Sequence, residues 1–242
     1  MLVVYPAGVQ RYAVRRIGEA AVAAGAYALP AGALASAGLA RALAMQTRLR
    51  DGAGAALTFD DGPHPEGTPA ILDALARHAV TATFFLTGEQ VLRHPEVARE
   101  VAARGHGIGV HGHRHLLLTV RPPRATWLDL ARAKAVVEDA TGATPRLYRP
   151  PYGVANAAAL VAARRLGLRV VLWTRWGRDW EASATAASVA STLTRGLRGG
   201  EILLLHDADH YASRGSWRAT LAALPAIAAA VDGAGLGFVG IT

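Results

Sequence analysis

From residue 55 onward, short apolar runs alternate with stretches whose apolar residues recur every three to four positions. This alternation constrains the fold more than any other feature. A strand–helix repeat buries its apolar faces most simply as a parallel sheet with helices packed against it. The runs at 170–172 and 202–205 are apolar at every position, as in parallel strands covered on both faces. The pattern predicts strands at 55–59, 82–86, 108–111, 146–149, 169–173, 201–205 and 236–241. It predicts helices at 68–78, 95–104, 124–141, 156–166, 185–197 and 217–231, with Gly105, Gly142 and Gly167 just past three of their ends. Seven strands with intervening helices fit either a barrel or an open doubly wound sheet. No glycine-rich phosphate loop follows the first strand, which weakens a dinucleotide-binding reading.

Polar residues collect where these strands end. Asp60 and Asp61 follow the first strand, and His111, His113 and His115 the third. Arg149, Pro151 and Tyr152 follow the fourth, Asp179 and Trp180 come after the fifth, and His206 and Asp207 end the sixth. Barrel active sites are built at the C-terminal ends of strands. Adjacent strand residues point to opposite sides, so Asp60 and Asp61 need not share a task. Two carboxylates at one strand exit repel each other, and a bound cation is the simplest offset. His111 and His115 are four apart and would share a face on a helical turn. With one aspartate they make a two-histidine, one-carboxylate set with positions left for water or substrate, which marks a catalytic metal. Such donors suit zinc, and also cobalt, nickel or iron. His113, between the pair, is expected to point elsewhere, either exposed or behind the ligands, and residues 206–211 read as a solvated loop or, in the alternative, as extra groups that contact substrate. His64, His78, His94 and His106 read as turn or surface residues.

Five segments carry a resemblance: Thr58–Pro63, His111-x-x-x-His115, Arg149-Pro-Pro-Tyr-Gly-x-x-Asn156, Asp179-Trp180 and Leu204–Asp207. In that order they resemble the motifs of polysaccharide deacetylases, the NodB-homology domains of carbohydrate esterase family four, over about residues 53–242. The resemblance implies a distorted seven-stranded (β/α) barrel, similar to a TIM barrel, and metal-dependent removal of N- or O-acetyl groups from glycans. It implies Asp60 as general base held by Arg149, and Asp61, His111 and His115 as ligands of one divalent ion. It further implies His206 as general acid supported by Asp179, the Tyr152 backbone N–H at the oxyanion, and Trp180 and Leu204 walling the acetyl pocket. Gly112, Leu116 and Trp176 depart from the family pattern, which bears on the support of the metal and on substrate preference. The competing functions are hydrolysis of other small or cyclic amides, glycan binding without catalysis, and iron-dependent oxygenation. Loss of Asp60, a metal ligand or His206 would mark a binding module, and all are present.

The remaining segment, 1–50, reads as an N-terminal helical or membrane-associated extension. Residues 20–40 carry no charge, with Arg11, Arg15 and Arg16 before them and Arg41 after. That length spans a bilayer, although Pro30 interrupts it. Membrane anchor, export signal and helices packed on the domain are the three readings, and residues 46–54 read as a linker. The net charge of +8 fits an anionic envelope polymer or membrane surface, and the absence of basic runs interleaved with aromatics argues against nucleic acid. No cysteine is present, so thiolate metal sites are excluded. The expectation is a monomer acting on an acetylated glycan in the cell envelope, membrane-anchored or secreted.

Overall fold

The computed structural model describes residues 22–241. Arg11, Arg15, Arg16 and the first two positions of the uncharged run lie outside the described residues. The strands are β1 Ala55–Asp60, β2 Thr83–Leu86, β3 Gly107–Val110, β4 Leu147–Tyr148, β5 Arg169–Val170, β6 Arg175–Trp176 and β7 Glu201–His206. The helices are α1 (residues 22–28), α2 Ala37–Ala42, α3 Gly67–Arg77, α4 Gly88–Arg93, α5 Pro95–Ala103, α6 Pro123–Thr141, α7 Ala157–Arg165, α8 Ala186–Thr194 and α9 Trp217–Gly233.

All strand pairs are parallel, in the order β5-β4-β3-β2-β1-β7-β6. The two end strands, β5 and β6, are nearly consecutive in the chain. From Val170 to Arg175 the chain can reach at most ~19 Å. Six strand spacings laid flat would need ~29 Å. The sheet must therefore curl until its edges approach, which makes the distorted barrel that the strand–helix repeat allowed.

The curl sorts side chains by strand parity. On β1, Ala55, Leu57 and Phe59 face the helices in the large apolar cluster with Ile71, Leu75, Leu203 and Leu224. Ala56 faces inward with Phe85, Leu147, Val171 and Ile202. Thr58 and Asp60 continue that inner face, and both reach Arg149.

Three expected elements differ. Residues 236–241 form no strand and make only a bridge from Phe238 to Ala55. The edges of β1 belong to β2 and β7, and β2 starts opposite Thr58, so only the first residues of β1 stay open. The seventh strand is instead β6, two residues long and too short for any periodicity to announce. Residues 169–173 are not one strand either, because the chain leaves the sheet after Val170 to cross the seam.

The linker expected at 46–54 supplies part of that seam. Gln46 N–H donates to Val170 O at 2.9 Å, and Leu172 N–H donates to Gln46 O at 2.7 Å. Leu49 N–H donates to Gly200 O at 2.9 Å, next to β7. Residues 46–49 thus stitch the two sheet edges together. Before them, Ala33, Ala40 and Met45 are buried in one cluster with Tyr148, Ala159 and Leu172. Among the described residues, no helix is long and apolar enough to cross a membrane.

Inside the barrel, Gly109 leaves room for the Phe85 ring, since a Cβ there would sit 2.5 Å from Phe85 Cδ1. Gly109→Ala should therefore overpack the interior at a cost of about 1–3 kcal/mol. Thermal melting should show a fall of ~2–4 °C per kcal/mol. An unchanged melting temperature would mean the interior is less closely filled than described.

Candidate active site

The site grows from the inner face of β1. Asp60 is the last inward residue of that strand, opposite His206 on β7. Arg149 follows β4 and is fully buried. Its guanidinium donates to Asp60 Oδ1 at 2.7 Å, Thr58 Oγ1 at 2.8 Å, Leu172 O at 3.0 Å and Val171 O at 3.3 Å. The Phe85 ring lies 4.1 Å from its Cζ. Burial pulls the Arg149 pKa down and Asp60 pulls it back up. With four acceptors around it the guanidinium stays charged, and Asp60 gains a fixed cationic partner.

Asp61 leaves the strand with φ of 79°, an uncommon conformation for a residue with a side chain. This turn sets its carboxylate between two histidines. His111 Nε2 and His115 Nε2 each lie 3.4 Å from Asp61 Oδ1. The pair does not sit on a helical turn, as their spacing had suggested. Residues 111–115 are a loop that turns at Gly112, where φ is 83°. His111 Nδ1 lies 2.8 Å from Arg149 O. A carbonyl only accepts, so Nδ1 carries the hydrogen and the Nε2 lone pair faces Asp61.

The donor chemistry fits a divalent cation. One ligand atom each from Asp61, His111 and His115 lie within 4.8 Å of one another. Asp61 Oδ1 is buried without a hydrogen-bond partner. Burial alone would raise the Asp61 carboxyl, but the imidazoles around it, His111 first and then His206 and His115, hold it at about 2. Burial pushes the His115 imidazole down to about 4 against the pull of Asp61. The set is therefore one ionised carboxylate with a neutral His115 beside it, which suits zinc or a similar ion. His113 stays out of this group. It is buried rather than exposed, and its N–H donates to Asp129 at 2.8 Å.

His206 ends β7 across from Asp60. Its Nδ1 lies 2.9 Å from Asp179 Oδ1, and its backbone N–H donates to Asp179 Oδ2 at 2.6 Å. Thr220 Oγ1 donates to the same oxygen at 2.6 Å. Burial would lower the imidazole, yet the charge and hydrogen bond of Asp179, then Asp61 and Asp60, push it up to about 10. His206 is thus held as a proton donor with Nε2 toward the cavity.

Tyr152, at φ of 59°, and Trp180 and Leu204 line the same cavity of about 250 Å³. Of the ten site residues expected from the sequence, eight line this cavity, and Arg149 and Asp179 lie behind it, hydrogen-bonded to Asp60 and His206. The sequence reading missed Trp173 and Ala212 as lining residues, noted Trp176 only as a departure, and left Tyr211 between a solvated loop and a substrate contact. Residues 208–211 are also not a solvated loop: Ala208 is buried and Tyr211 packs on His115. No sequence pattern announces a stacking partner brought in from a distant loop.

A family model described as polysaccharide deacetylase matches residues 50–171. A peptidoglycan-N-acetylglucosamine deacetylase of Bacillus cereus is 35% identical over 190 residues, covering 77% of this chain and 85% of the relative. Another, of Listeria monocytogenes, is 36% identical over 152 residues, covering 63% of this chain. That match spans 32% of the Listeria protein, so the chain corresponds to about a third of its length. A solved peptidoglycan N-acetylglucosamine deacetylase superposes with a TM-score of 0.76 at 29% identity, covering 82% of this chain and 91% of that one.

His111→Ala should lower the divalent metal bound per chain sharply in elemental analysis of dialysed protein, whereas His113→Ala should leave it near wild type. Equal losses would mean a different donor pair. Arg149→Met should cost about 3–5 kcal/mol in denaturant unfolding, because Asp60 is left buried without its partner.

Proposed function

The chain belongs to the polysaccharide deacetylase family, and on that basis we propose that it hydrolyses acetyl groups from glycans. The first candidates are N-acetylated polymers such as peptidoglycan and chito-oligosaccharides, with O-acetylated xylan the ester alternative. One observation carries the reading. The Arg149–Asp60 and Asp179–His206 pairs share one cavity with a three-donor cation set.

In this reading Asp61, His111 and His115 hold one divalent ion, zinc by preference and cobalt, nickel or iron by compatibility. Bound there, the ion supplies Lewis acidity toward the acetyl carbonyl and toward a water. Asp60, paired with Arg149, accepts the proton of the attacking water as its oxygen bonds to the acetyl carbon. The Tyr152 backbone N–H donates to the carbonyl oxygen as charge gathers there. His206 Nε2 passes its proton to the leaving nitrogen as the C–N bond breaks, and acetate and a free amine result. Asp179 holds the imidazole in the tautomer and orientation for that transfer. Trp180 and Leu204 wall the acetyl methyl. Two titratable groups in separate environments thereby divide base and acid.

We further propose residues 53–242 as the catalytic domain, acting as a monomer in the cell envelope. Within segment 1–50, Ala33, Ala40 and Met45 pack on the domain and residues 46–49 close its seam, as the packed-helix reading has it, and the rest of the segment serves location, as anchor or export signal. Fractionation of cells making the full chain should find it in the envelope or the medium. Soluble cytoplasmic protein with an intact N-terminus would refute this.

Acetate release from acetylated chito-oligosaccharides, peptidoglycan and acetylxylan tests the activity. Neither Asp60 nor His206 is proposed as a ligand, so Asp60→Asn and His206→Ala should retain metal. Each should lower kcat by ~10²–10⁴, the usual contribution of a general base or acid, with a smaller change in KM. Wild-type turnover in metal-replete variants would refute the assignment. A metal-loaded wild type that binds these glycans without releasing acetate would favour a binding module.

A further inference from the structure

The two histidines of the donor set are held in different ways. His111 is oriented by a hydrogen bond from Nδ1 to Arg149 O. His115 Nδ1 is buried and has no hydrogen-bond partner among the described residues. Asp61 lies 3.4 Å from its Nε2, but no hydrogen bond from Nδ1 sets the plane of the ring.

Aromatic faces do so instead. The Tyr211 ring stacks on His115 with centroids 4.4 Å apart and planes 11° from parallel. Tyr152 meets the same ring edge-on, also at 4.4 Å. Tyr211 is itself fixed, because its hydroxyl donates to Glu89 Oε1 at 2.5 Å and accepts from Gln90 Nε2 at 3.3 Å. Both partners lie in the first turn of α4. The backbone N–H groups of Gly88 and Glu89 in that turn donate to Gly112 O and His113 O, each at 2.9 Å. One helical turn therefore grips the His111–His115 loop through its backbone and Tyr211 through its side chains.

We infer that Tyr211 is a positioning residue that aims the Nε2 lone pair of His115 at a bound cation, by stacking where a hydrogen bond would ordinarily orient a ligating imidazole. The inference rests on Asp61, His111 and His115 being the donor set, and it adds a residue from the loop after β7. Groups that orient a metal-bound histidine typically contribute 10–100-fold to metal affinity. Tyr211 should fall in that range through its ring, with the hydroxyl serving to hold the ring in place.

The test is zinc titration of the metal-free full chain by competition with a chromophoric chelator, together with the visible spectrum of the cobalt form. Tyr211→Ala should weaken zinc binding ~10–100-fold and alter the cobalt bands. Tyr211→Phe, which keeps the stacking face, should stay near wild type in both readouts. If Tyr211→Ala does not fold, Tyr211→Leu replaces it, filling the volume without an aromatic face. Wild-type zinc affinity with an unchanged cobalt spectrum in either variant would overturn the inference. So would a Tyr211→Phe variant as weak as Tyr211→Ala. His111→Ala is the control: if it too binds zinc like the wild type, the donor set is wrong and Tyr211 is not what failed.

Discussion

A guanidinium sealed inside the barrel is the constraint that the other parts answer to. Burying Arg149 removes a full charge from water, which is tolerated only when paired and fully hydrogen-bonded. The partners come from separate parts of the fold: Asp60 and Thr58 from β1, and the carbonyls of Val171 and Leu172 from the seam. Satisfying Arg149 thus ties the seam to the central strand. Its own carbonyl orients His111. The same residue therefore holds one oxygen of Asp60 and fixes the ring of His111.

The site uses the pleat of β1 economically. Leu57 and Phe59 anchor the strand against the helices, while Thr58 and Asp60 on the opposite face meet the buried cation. The chemistry is rigid because its residues alternate with core residues on a central strand. Asp61 and Tyr152 then leave regular backbone at positive φ. Such conformations cost of order 1–3 kcal/mol and persist where the surroundings over-determine them. Both residues line the cavity.

The two opposing pairs differ in how they set charge. Asp60 faces a guanidinium that stays charged and that fixes one of its oxygens at 2.7 Å. His206 faces Asp179, which already takes hydrogen bonds from the His206 backbone and from Thr220. That carboxylate is pinned, and the imidazole beside it is held in the form that gives a proton away. A cavity with these groups on either side of a cation set can take a proton on one side and return one on the other.

The sequence by itself determined the parallel α/β class, six of the seven strands, and the residues that meet at the strand ends. These were legible because apolar periodicity reports burial locally, and because the Asp60–Asp61 and His111-x-x-x-His115 spacings are themselves local. The seam was not legible. Gln46 and Leu49 bond to Val170, Leu172 and Gly200, more than a hundred residues away, and a stretch with two glycines and two arginines nearby reads as a linker. The strand β6 was too short to carry a period, and the tail at 236–241 carried one but found its edge of β1 already taken. The spacing of His111 and His115 was right while its cause was not, since a loop bend rather than a helical turn brings them together. Tyr211 stacks on His115 only because α4 and the loop after β7 converge on one end of the barrel. Local pattern records which face of an element is buried. Which distant groups complete that face is decided by closure of the whole sheet.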